Sequence, residues 1–152
     1  MKEITIFSDN CGVQNKNFNL VLACMSYIHS GRFEKIHHVY LMSGHSYLPC
    51  DRDFGYISRE TNHEEVYSKQ QYVELIKSAK LTKKFEVVEM TQEMFLDYNF
   101  LQKQVVNRKI NGDKFSDGKI FLYSQDFKEG YAIQTAYSEV RPPRKVVIQK
   151  LK

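Results

Sequence analysis

Asp9 closes the β-rich run Ile4-Thr5-Ile6-Phe7-Ser8, and further on Leu41-Met42-Ser43-Gly44-His45 leads into Cys50-Asp51-Arg52-Asp53. A carboxylate at the end of one strand and another just past the next can meet above the carboxyl ends of a parallel sheet. Open α/β folds keep their ligands there. Two hard acids converging at such a place suit Mg²⁺ or Mn²⁺ and the chemistry of phosphodiesters. Asp51 and Asp53 stand two apart and do not share a helix face, so one of them at most joins Asp9, and Asp51 is the one assigned.

Between the acids lie groups that suit the same chemistry. Asn10, Gln14, Asn15 and Lys16 form a polar loop in front of an apolar helix. Amides and a cation at a helix N-terminus can hold phosphate or order metal-bound water. His45 suits a ligand or a proton shuttle. Each has a plainer role. Asp9 is also a turn former, Asn15 or Asn17 a helix cap, and His45 a histidine bonding backbone. Cys11 and Cys50 flank the acids, so a Cys–His nucleophile with His45 is a third arrangement, although no orienting group for it is evident. His37, His38 and His63 read as strand and loop residues. The basic groups Lys80, Lys83, Lys84 and Arg141-Pro142-Pro143-Arg144-Lys145 can touch phosphates, but charge runs are usually solvated faces.

The elements that must position these groups follow from periodicity. Residues 3–8 alternate as a strand. Phe18, Val21, Leu22, Met25 and Ile28 recur at helical spacing, with Leu20, Ala23, Cys24 and Tyr27 widening the face, so this helix packs on more than one side and Gly31 closes it. Residues 35–43 make a second strand, nearly continuous in apolar residues from Val39 to Met42, which predicts a parallel strand buried on both faces. Strand, helix and strand form a βαβ unit. A helix is expected from Asp51 to about Arg59 behind Pro49, another over 68–79, a strand over 85–90, and a helix capped by Thr91 carrying Met94, Phe95, Tyr98 and Leu101. Three short strands over 119–123, 131–137 and 145–151 form an antiparallel set.

Composition bounds the class. The chain has 152 residues, 42% hydrophobic and 13% aromatic, enough apolar material for a core. No apolar run approaches the ~18 residues that span a membrane. A soluble protein of the nucleus or cytoplasm, with no membrane partner, is the expectation. Three widely spaced cysteines do not make a disulfide framework. The formal charge of +4 permits a polyanionic partner without requiring one.

The string Ser8-Asp9-Asn10-Cys11-Gly12-Val13-Gln14-Asn15-Lys16-Asn17, with Gly44-His45-Ser46 ahead of Asp51, resembles a transposon-derived family of animal proteins with a transposase-like, RNase H-type core. The resemblance extends more weakly through Phe85–Thr91 and Met94–Asp97. It implies a two-metal site built from three acids, with Asp9 as the second, Asp51 as the third and His45 beside them. Mg²⁺ or Mn²⁺ would be the cofactor and DNA the partner. Val13 replaces the second glycine often found in that loop. The first acid belongs on a strand upstream of residues 3–8, for which two residues leave no room. The expectation is therefore an α/β fold: a partial, N-terminally truncated RNase H-like core over 1–64, and helices with an antiparallel β extension over 65–152 packed with it. Its function would be transposase-derived nucleic-acid processing, inactive or incomplete in this chain. The alternative is a non-catalytic module binding nucleic acid or protein.

Overall fold

The computed structural model describes residues 2–42, 44, 47–104, 114–127, 129–138 and 142–148. The chain divides into two compact units, one formed by residues 1–46 with 97–152 and the other by residues 47–96. The boundaries between these units fall near 46 and 97.

The first unit is built on a five-stranded mixed sheet. Its strands are β1 (Glu3–Ser8), β2 (Lys35–Tyr40), β3 (Ile120–Ser124), β4 (Gly130–Gln134) and β5 (Arg144–Val147), and their order across the sheet is their order in the chain. β1 and β2 pair in parallel, while β3, β4 and β5 follow antiparallel. The three C-terminal strands expected from the sequence therefore complete the sheet that β1 and β2 begin. They are not a separate extension.

Helix α1 (Phe18–His29) is the crossover between the parallel strands. Asn17 caps it, its side-chain oxygen accepting from the Leu20 N–H. Gly31 ends it at φ +71, a conformation that costs glycine nothing. Val21, Cys24, Met25 and Ile28 of α1 enter one core with Ile36 and Tyr40 of β2, Phe121 and Tyr123 of β3, Tyr131 and Ile133 of β4 and Val146 of β5. On another side α1 meets α4 (Tyr98–Lys103), where Ser26 Oγ and Tyr98 OH lie 3.1 Å apart and Asn19 donates to Asn99. α1 therefore packs on two sides, by apolar residues on the core and by polar pairs on α4.

β2 departs from the buried parallel strand that its composition suggests. Its side chains alternate between fully buried Ile36, His38 and Tyr40 and half-buried neighbours, and it pairs in parallel with β1 but antiparallel with β3. The strand stops at Tyr40, and Met42 is largely exposed.

In the second unit α2 (Pro49–Thr61) packs on α3 (Lys69–Ser78). Pro49 occupies the first helical turn, where its missing N–H costs no bond. Ser68 caps α3 by accepting from the Gln71 N–H. Residues 85–90 are not a strand. Val88 and Met90 are exposed, and Glu89 is held by Lys69 of α3 at 2.6 Å, so this segment follows a helix instead of a sheet edge. The single helix expected after Thr91 is broken as well. A 3₁₀ turn covers Gln92–Met94, Phe95 is extended, and Asp97 starts α4 afresh by accepting from the N–H groups of Asn99 and Phe100. A good cap inside an apolar pattern wins over the pattern.

Candidate functional site

The site grows from the end of β1. Asp9 leaves the strand as an Asx turn: its Oδ1 accepts from the Cys11 N–H at 3.2 Å and from Asn15 Nδ2 at 2.5 Å. Both bonds fall on one oxygen. Oδ2 accepts none among the described residues. The result is a carboxylate fixed in orientation with one oxygen left for a ligand.

The loop around it is held by its own backbone. Cys11 O accepts from the N–H groups of Asn15 and Lys16, and Asn17 Nδ2 reaches the carbonyls of Val13 and Gln14. From the strands below, Tyr40 OH donates to Asn15 O at 2.9 Å, which sets the residue that in turn grips Asp9. Gln14 is exposed and its side-chain amide has no partner among the described residues.

Lys16, read from the sequence as a phosphate contact, is turned into the protein, where it meets the side-chain oxygen of Asn10. Lys16 is buried, and its ammonium donates to Asn10 Oδ1 at 2.9 Å, to Gly118 O at 2.7 Å and to Ser116 O. All three N–H bonds of the ammonium are engaged by the protein. It also lies 5.3 Å from the Tyr40 ring centre. Burial lowers its pKa, with Lys119 adding to the effect and Asp117 opposing it. Lys16 is a cross-brace between the loop after β1 and the turn before β3.

His38, which the sequence offers only as a strand residue, lies directly under the site. It is fully buried, its Nε2 lies 2.8 Å from Ser8 Oγ, and its ring is 4.1 Å from that of Tyr40. Nδ1 has no partner among the described residues. A buried orphan acceptor costs less than a buried orphan donor, so the proton belongs on Nε2, which donates to Ser8 Oγ. The Ser8 hydroxyl is then free to donate to Asp9 O at 3.3 Å. The chain of bonds thus runs from His38 through Ser8 to the Asp9 backbone, and Ser8 is not primed as a nucleophile. Burial pushes the histidine down from 6.5 to about 4, so it stays neutral near pH 7. The signal in the sequence is the period of two that puts Ile36, His38 and Tyr40 on the face carrying the core.

The other predicted residues are placed as follows. Asp51 stands in the first turn of α2, in the second unit, where its Oδ2 accepts from the Leu48 N–H at 2.8 Å. It caps its own helix. Asp53 pairs with Lys80 at 2.5 Å. Cys50 is exposed and Cys11 half-buried. His45, and the basic residue Arg141, lie outside the described residues.

Among the described residues no three His, Cys, Asp or Glu side chains are grouped to hold a metal ion. What Asp9 offers is one hard, oriented oxygen. That donor suits a single, largely hydrated Mg²⁺, which binds through one or two carboxylates and keeps several waters. It does not amount to the pair of ions that clamps both oxygens of a displacement. No described helix is long and apolar enough to cross a membrane.

The family described as "Domain of unknown function (DUF7869)" matches residues 2–137. No curated protein and no solved structure matches the chain.

Proposed function

The chain belongs to the DUF7869 family, and we propose that it is a transposase-derived nucleic-acid-processing domain whose phosphodiester chemistry is incomplete in this chain. The observation that carries this reading is the Asp9 carboxylate, fixed at the carboxyl end of β1 by Asn15 and the Cys11 N–H with Oδ2 unused. An oriented acid at the carboxyl end of a parallel pair lies where open α/β folds keep their ligands, and the resemblance assigns it the place of the second ligand. A bound Mg²⁺ or Mn²⁺ would supply Lewis acidity toward a phosphate oxygen. Asp9 would hold the ion, Asn15 would keep the carboxylate from rotating away, and buried His38, through half-buried Ser8, would fix the backbone beneath it. The resemblance assigns a further ligand to Asp51 and a proton-handling role to His45.

The second reading is a non-catalytic module that kept the fold and binds nucleic acid or protein. It is favoured by the use of Lys16 as a brace, since its ammonium then has no N–H left for a phosphate.

Thermal melting with and without Mn²⁺ separates the two. A cation that binds the folded chain alone raises the melting temperature by mass action. The processing reading expects a rise that Asp9→Asn abolishes and Asp51→Asn reduces. A wild-type melting temperature unmoved by Mn²⁺ favours the module.

A further inference from the structure

The second unit carries a cleft of about 510 Å³ that the Asp9 site does not use. Arg52, Arg59, Lys80 and Lys83 line it, with Tyr56 and Glu60. The unit as a whole has nine Asp and Glu against seven Lys and Arg, so a cleft that takes four of the seven cations is a local concentration of charge. Arg52, Arg59 and Lys83 have no carboxylate or other hydrogen-bond partner among the described residues.

Two of these cations are held, not merely solvated. The Arg59 guanidinium lies 5.5 Å from the centre of the Tyr56 ring and the Lys80 ammonium 5.3 Å from it. Lys80 is fixed a second time by Phe85 at 4.4 Å and a third by Asp53, which also offsets its charge. A guanidinium over a ring face is drawn to it and is weakly hydrated, so it gives up less on meeting a phosphate. Lys83 sits at φ +52, in the left-handed region, an unusual place for a lysine and one that functional loops often keep.

The spacing suits a strand of phosphates. Arg52 and Arg59 are seven residues apart on α2, so they lie on one face about 10 Å apart along the axis. Two cations that far apart on one face can each meet a separate phosphate of the same strand.

We infer that this cleft is a docking site for the phosphodiester backbone of single-stranded nucleic acid, read by charge and not by base sequence. The identity of the ligand rests on the nucleic-acid reading above; the location of the cleft does not. Free polyphosphate offers the same charge chemistry, and the test separates the two.

The experiment is fluorescence anisotropy of a dye-labelled 20-nucleotide thymidine oligomer titrated with the full chain at 50 and 200 mM salt. The double variant Arg52→Gln/Arg59→Gln should bind about tenfold or more weakly at the lower salt. Its salt slope should be shallower by about 1.4, since each of the two arginines neutralises one phosphate and each phosphate contributes roughly 0.7 on a single strand. Lys83→Gly, which leaves both helices untouched, should weaken binding in the same direction and keeps the test decisive if the double variant folds poorly. Lys77→Gln removes a charge of the same unit outside the cleft and should leave binding unchanged. Binding that survives both cleft variants overturns the assignment of the cleft while leaving a nucleic-acid partner standing. No binding of the oligomer by the wild type overturns the nucleic-acid ligand itself, and binding of polyphosphate in its place assigns the cleft to free polyanions.

Discussion

The ammonium of Lys16 donates to the carbonyl oxygen of Gly118 at 2.7 Å, joining positions 102 residues apart in the chain. The same ammonium holds Ser116 O and Asn10 Oδ1. The loop that orients Asp9 and the turn that introduces β3 therefore share one buried cation, and each depends on the other for its shape.

Lys16→Met removes the charge and leaves two backbone carbonyls without their donor. The expected loss of stability is roughly 3 kcal/mol, from the unsatisfied buried carbonyl of Gly118 and the absent charge-assisted bonds. Urea denaturation at pH 7 measures it. A change within about 0.5 kcal/mol, the range of ordinary surface substitutions, would mean that the brace carries no weight.

His38 makes stability depend on acid. Its folded value of about 4 lies below the ordinary 6.5, so between those values the unfolded chain holds the proton more tightly than the folded one. The contribution is complete above pH 6.5 and is lost as pH falls toward 4, by about 3 kcal/mol in total. His38→Gln keeps a donor for Ser8 and cannot titrate. Urea midpoints from pH 7.5 to 4 should fall less steeply in the variant than in the wild type; parallel curves would contradict the buried neutral ring.

Gly130 and Gly118 separate a backbone clash from a side-chain one. A Cβ at Gly130 would lie 1.7 Å from Val146 O, on the backbone of the paired strand β5. At Gly118 it would meet the ends of Ile133 and Phe121 at 2.5 and 2.6 Å. Side-chain ends can turn aside and a paired carbonyl cannot. Gly130→Ala should cost about 3 kcal/mol or more and Gly118→Ala about 1–3 kcal/mol. Thermal melting of the two variants would show the reverse order if β4 and β5 were not closely paired.

What the sequence discloses and what it conceals divide along physical lines. β1 and α1 are legible because period and terminating glycine agree over a short span, while the cap is narrowed only to Asn15 or Asn17. The antiparallel strands near the C-terminus are legible as strands but not as neighbours of β2, since strand order is set by residues distant in sequence. Phe85–Met90 has a strand's composition and lies against α3 through Lys69 and Glu89, where no sheet edge receives it. At the site, Asp9 and Asn15 are recognisable by type and position. The burial of Lys16 is not, because its acceptors are the carbonyls of Ser116 and Gly118, and backbone acceptors leave no trace in residue identity. His38 is hidden for a similar reason: its partner Ser8 is an ordinary strand residue on the neighbouring strand.

If the spare oxygen of Asp9 takes a cation, paramagnetic relaxation by Mn²⁺ shows it residue by residue. In amide spectra of the ¹⁵N-labelled chain, substoichiometric Mn²⁺ should broaden the signals of Cys11, Gly12 and Asn15 first, and Asp9→Asn should restore them while its remaining spectrum stays that of the folded protein. Uniform or absent broadening around Asp9 in the wild type, or the same broadening in Asp9→Asn, would contradict it.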